Sequence, residues 1–111
     1  METADFDVRL EVLPGGAAVV HVRGDLDLGT APALAEAIAS AGDPENVVLD
    51  LGECSFVDSA ALRTILVAAR ATQDRGGRLA LVVTDPGIRR VLEITAVDTM
   101  LPVHSTIDSA L

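Results

Sequence analysis

Asp58 and Ser59 stand side by side where an aliphatic run gives way to a helix-like pattern, within DLGECSFVDSAALRTIL from Asp50 to Leu66. At a helix start the backbone N–H groups are unpaired and the dipole favours negative charge. A serine there has two jobs open to it. It can cap the helix, the ordinary use of Asp and Ser at such a position, or it can carry a phosphate that the helix end would stabilise. A third idea, a nucleophilic serine, needs a histidine base and an acid arranged around it. The two histidines, His21 and His104, have no such spacing and Gly-x-Ser-x-Gly is absent.

Other chemistry finds little support. Cys54 has no cation beside it in sequence, so a small buried hydrophobe is the expected role rather than a reactive thiol. One cysteine and two distant histidines make no metal-ligand cluster, and neither GxGxxG nor GxxxxGK[ST] occurs. No catalytic residue, metal or cofactor is therefore expected. Asp25 and Asp27, ahead of the first helix, read equally as a binding edge or as residues that solvate a turn.

These residues need elements to hold them. Residues 6–13 alternate, with Phe6, Val8, Leu10 and Val12 on one side and Asp7, Arg9 and Glu11 on the other, which predicts a half-buried strand. Pro14-Gly15-Gly16 turns the chain and residues 17–22 return as the hairpin partner. The pattern breaks over residues 24–29. A helix then opens at Thr30, with Pro32 in its first turn and Leu34, Ile38 and Ala41 at helical spacing, and Gly42-Asp43-Pro44 stops it.

Val47-Val48-Leu49 predicts a central buried strand, followed after GECSFV by a helix from Asp58 or Ser59 to Arg75. Leu62, Ile65, Leu66 and Ala69 line its apolar stripe. Gly76-Gly77 ends it, and residues 79–83 form another strand that should run parallel to the previous one. Asp85 caps a third helix with Pro86 at its first position; Ile88, Val91 and Leu92 face inward, Arg89 and Arg90 water. A short edge strand near Pro102 and a last helix opening at Ser105 or Thr106 complete the chain. The order is β-β-α-β-α-β-α-(β)-α: one α/β domain over residues 1–111, with a mixed β-sheet of four to five strands and helices packed on it. Asp25–Thr30, Asp58–Ser59 and Thr84–Asp85 all follow strands. If those strands are parallel, the three loops converge on one rim, the usual ligand side of an α/β sheet.

Composition narrows the function classes. Half of the 111 residues are hydrophobic, enough for a core without staples, yet Phe6 and Phe56 are the only aromatics. A net charge of −9 and the lack of stacking platforms argue against nucleic acid. The acidity fits a partner with a basic docking surface, or serves solubility alone. A single cysteine, no signal-like start and no apolar run long enough for a bilayer lead to the expectation of a cytoplasmic protein with no membrane insertion.

Three stretches then look familiar. VRGDLDLGTAPALAEAI (Val22 to Ile38), VVLDLGECSFVDSAALRTILVAAR (Val47 to Arg70) and the tail from Gly76 resemble, in order, the successive parts of STAS domains of the anti-sigma factor antagonist type. The resemblance implies partner switching. Such a module binds an anti-sigma factor that is a serine-protein kinase and so frees a sigma factor for transcription. Phosphorylation of the module blocks that binding, and a phosphatase restores it. It implies a partner-binding surface of Asp25, Asp27, Asp58, Ser59, Ala60 and Arg63, on a regulatory module that is not an enzyme. The chain departs from the family pattern at the acceptor, which falls on Ala60, with Ala61 where the family has glycine. Three readings follow. Ser59 takes over as the phosphorylation site, or control by phosphorylation is lost and the antagonist is permanently active, or the fold serves another use. The second is favoured, because alanine forbids the chemistry. Small STAS proteins also serve as accessory subunits on the ATPase of lipid-asymmetry ABC transporters and commonly lack a phosphorylatable residue, so that alternative stays open.

Overall fold

The computed structural model describes residues 6–42 and 44–111; Asp43, in the expected helix stop, lies outside them. The elements follow in the order β1 (Asp7–Val12), β2 (Ala18–Leu26), α1 (Ala31–Ser40), β3 (Asn46–Val57), α2 (Ser59–Asp74), β4 (Arg78–Val82), α3 (Pro86–Ile94), a 3-10 turn (Val97–Thr99), β5 (Val103–His104) and α4 (Ile107–Ala110). The predicted order holds, and the sheet has five strands.

The strands lie side by side in sequence order, β1 antiparallel to β2 and each later neighbour parallel. The period of two decides which side chains meet which layer. Val20, Val22, Val47, Leu49, Leu51, Leu79, Leu81 and Val83 point to one face, where Leu34 of α1, Leu62 and Ile65 of α2, and Ile88 and Leu92 of α3 close over them. Each of these Val, Leu and Ile side chains contributes roughly 1.5–3 kcal/mol by leaving water. Val19, Val48, Ala80 and Val82 point the other way and meet the short α4, through Ile107 and Ala110, and Leu13 of the hairpin. That reverse face is polar beyond α4.

Four expectations need correction. The segment GECSFV is strand, because β3 continues to Val57 with Leu51, Cys54 and Val57 buried. β2 does not stop before Gly24 but runs on to Leu26; Gly24 takes φ of 100° and the register shifts beside it, so a bulge absorbs the apparent break. Val12, expected inward with Phe6, Val8 and Leu10, is 62% exposed at the hairpin tip. Arg89, expected in water, is half-buried, and its guanidinium donates to the Val83 carbonyl oxygen at 3.4 Å and to Ser105 Oγ at 3.3 Å.

Candidate functional site

The end of β3 and the start of α2 are one continuous corner. Val57 is the last strand residue, Asp58 has extended dihedrals, and Ser59 is the first residue of the helix. Asp58 is the N-cap: its Oδ1 accepts from the Ala61 N–H at 3.0 Å. Its Oδ2 accepts from the Leu28 N–H at 3.1 Å, and the Asp58 N–H donates to the Leu26 carbonyl oxygen at 3.1 Å. The carboxylate thus fastens the loop after β2 to the first turn of α2.

Asp27 holds the other side of that loop. Its Oδ1 accepts from the N–H groups of Gly29 and Thr30 at 2.9 and 3.0 Å. Thr30 does not cap α1 through its side chain; its hydroxyl donates to the Asp25 carbonyl oxygen at 2.8 Å and accepts from the Asp27 N–H. Asp25 accepts from the Ser55 hydroxyl at 3.2 Å. All three carboxylates expected to bind a partner are half-buried and engaged within the chain, Asp27 and Asp58 on the loop after β2 and Asp25 across the end of β2 to β3. Between them Leu28 stands 76% exposed, and Phe56 is 49% exposed.

Ser59 is exposed, and its hydroxyl has no hydrogen-bond partner among the described residues. Capping therefore falls to Asp58, and Ser59 is left free at the helix start. Ala60 and Arg63 follow one turn apart on α2. With Leu28, Ala31, Pro32, Ser59 and Thr64 they line a notch of about 520 Å³ between the starts of α1 and α2.

The third loop does not join this rim. The parallel register pairs Asp50 with Val82, so Thr84 lies beside Gly52 and donates to its carbonyl oxygen at 2.9 Å. β3 runs on from there to Val57, on the order of 15 Å further along an extended chain. Asp85 caps α3 instead, accepting from the Ile88 N–H at 3.0 Å. The unequal lengths of β3 and β4 set this loop back.

Cys54 is 3% exposed, and its Sγ lies 3.6 Å from the Val22 carbonyl oxygen. Burial pushes its thiol up to about 12, helped by the negative charges of Asp50, Asp25 and Glu53. A thiol so held is protonated at neutral pH, which fits the inert role expected of it.

One cluster escaped the sequence reading. On the reverse sheet face His21 Nδ1 lies 2.8 Å from Asp50 Oδ2, and Nε2 lies 2.8 Å from Glu11 Oε1. The ring satisfies both carboxylates only with an N–H on each nitrogen. The signal was present in part, since period two turns each of Glu11, His21 and Asp50 away from the apolar face of its strand, but the register that makes them neighbours is not written in any of the three strands. Among the described residues no group of His, Cys, Asp and Glu is arranged to hold a metal ion, and no helix is long and apolar enough to cross a membrane.

Comparison with known proteins agrees with this architecture. The family described as STAS domain matches residues 8–110. The anti-sigma-F factor antagonist RsfB of Mycobacterium tuberculosis is 33% identical over 98 residues, covering 86% of this chain and 80% of RsfB. The anti-sigma-F factor antagonist RsfA of the same species is 28% identical over 99 residues, covering 86% and 77%. The crystal structure of an anti-sigma factor antagonist from Mycobacterium paratuberculosis superposes with a TM-score of 0.86 at 30% identity, covering 96% of this chain and 91% of that one. With its five-stranded mixed sheet, its four helices and the Asp58 corner at the head of α2, this chain belongs to the STAS domain family.

Proposed function

We propose that this chain is an anti-sigma factor antagonist whose binding surface is the loop after β2 together with the first turn of α2. It acts in the cytoplasm as a binding module with no catalysis of its own. It docks an anti-sigma factor of the serine-kinase type and so releases a sigma factor. The observation that carries this reading is the Asp58 corner: one carboxylate caps α2 and fixes the Leu28 loop beside it, leaving Leu28, Ser59 and Arg63 exposed on one surface. An exposed apolar residue ringed by polar groups suits a small protein interface. The names of the relatives point to the same role.

Control by phosphorylation is lost in this reading. Ala60 stands at the family's acceptor position and has no hydroxyl to modify. A phosphate there would place nearly two negative charges in the interface; without one, the antagonist stays competent to bind. Calorimetric titration against each anti-sigma factor of the source organism tests the role. Binding to one of them at micromolar strength or better is the expected result. Binding instead to the ATPase of a lipid-asymmetry transporter, with none to any anti-sigma factor, overturns it.

A further inference from the structure

The overall charge of −9 points to a partner with basic groups, but the one charged residue that lines the notch beside Ala60 is a cation, Arg63. Leu28, Ala31, Pro32 and Ala60 give it apolar walls, with the Ser59 hydroxyl at its edge. Asp58, the nearest carboxylate in sequence, is spent on the N–H groups of Ala61 and Leu28. The Thr64 hydroxyl is spent on the Ala60 carbonyl oxygen at 3.3 Å. Arg63 is the cation of the notch, exposed, with no hydrogen bond or ion pair among the described residues. Further along the same helix Arg70 has a counter-ion, its Nε lying 3.6 Å from Asp74 Oδ1.

Helix geometry makes the unpaired arginine meaningful. Residues three apart on a helix share a face, so a negative group at position 60 would lie within reach of Arg63. This chain has alanine there and supplies no such group. We infer that Arg63 receives a carboxylate of the partner, next to an apolar partner side chain seated against Leu28, Ala31, Pro32 and Ala60. The guanidinium fork matches a carboxylate through two parallel N–H donors, and the apolar walls exclude water from the pair. The partner surface is therefore an apolar side chain with an Asp or Glu close by, in place of the basic patch that net charge alone suggests. This inference rests on the antagonist reading above.

The test compares Arg63→Glu with Arg70→Glu, both in the full chain, by calorimetric titration against the anti-sigma factor that binds the wild type. Each substitution makes the net charge more negative by two, so long-range electrostatics change alike. Both sites are exposed, so neither substitution disturbs the core. A contact carboxylate predicts that Arg63→Glu weakens binding about tenfold or more, Arg70→Glu less than about threefold. It also predicts that the reversed partner, its carboxylate changed to arginine, recovers affinity for Arg63→Glu. Equal losses from the two variants, or no loss from Arg63→Glu while the wild type binds, overturn the inference and leave the antagonist reading standing. A wild-type chain that binds no anti-sigma factor overturns both.

Discussion

The carboxylate of Asp58 accepts a hydrogen bond from the Leu28 N–H at 3.1 Å while its other oxygen caps α2. One side chain therefore joins the two segments of the proposed interface and sets Leu28 beside Ser59. Asp58→Ala removes both acceptors. The cap costs about 0.5–2 kcal/mol and the loop bond adds about 1 kcal/mol. Urea unfolding should show that loss, and affinity for the anti-sigma factor should fall more than stability does, since the loop is released while the sheet stays intact. Asp58→Asn keeps an acceptor for the cap and should recover most of the stability.

Cys54 sets the alkaline limit of the fold. The chain has no lysine and no tyrosine, so Cys54 is the one side chain due to titrate between about pH 9 and 12. Its thiol is raised from 9.0 to about 12 in the folded state. The unfolded chain therefore loses this proton first, and the contribution is fully present below pH 9 and lost as pH rises towards 12. Stability should fall with a slope approaching about 1.4 kcal/mol per pH unit in that window. Cys54→Ala should abolish the slope, and a slope that persists in the variant would count against this assignment. Reaction of the wild type with a thiol alkylating reagent at pH 8 should need unfolding.

His21 ties β1 to β3 across β2, through Glu11 on one side and Asp50 on the other. The two ends are unequal. Glu11 is 46% exposed, whereas Asp50 is 20% exposed and also accepts from the Gly52 N–H at 3.0 Å. Glu11→Ala should cost less than about 1 kcal/mol, because water replaces the partner cheaply. Asp50→Ala should cost more, about 1–3 kcal/mol, since it strands a half-buried ring and a backbone N–H. Thermal unfolding of the two variants checks the order.

Gly77 has no room for a side chain. A Cβ there would run into the Glu45 carbonyl oxygen, the same atom that accepts from the Arg78 N–H at 2.7 Å as β4 begins. Gly77→Ala should destabilise by roughly 1–3 kcal/mol. A thermal midpoint equal to that of the wild type would contradict this packing.

Much of the fold was legible because its signals are local. Alternation around Phe6 to Val12, aliphatic runs at Val47 and Leu79, and Asp58, Asp85 and Thr106 at helix starts gave the element order, and those three side chains do cap α2, α3 and α4. What stayed hidden depends on register and length. GECSFV carries no strand signal of its own, because Gly52, Glu53 and Ser55 interrupt the aliphatic run, yet pairing with a bulged β2 keeps it in the sheet. The length of β3 beyond β4 separates Thr84 from Asp58, which no periodicity reports. At the site, sequence marked Asp25 and Asp27 ahead of the first helix and Asp58 at the start of the second. Only hydrogen-bond geometry shows that Asp27 and Asp58 hold the loop between them, that Asp25 ties β2 to β3, and that Ser59 and Arg63 are unpaired.

The loss of phosphocontrol is tested most directly by adding Mg-ATP to the preformed complex of this chain and its anti-sigma factor. Light scattering follows the complex, and intact mass follows the chain. The account predicts a complex that persists and a chain that gains no phosphate, whereas Ala60→Ser, which restores the hydroxyl, is phosphorylated and released. Release of the wild type together with phosphate on Ser59 would contradict it.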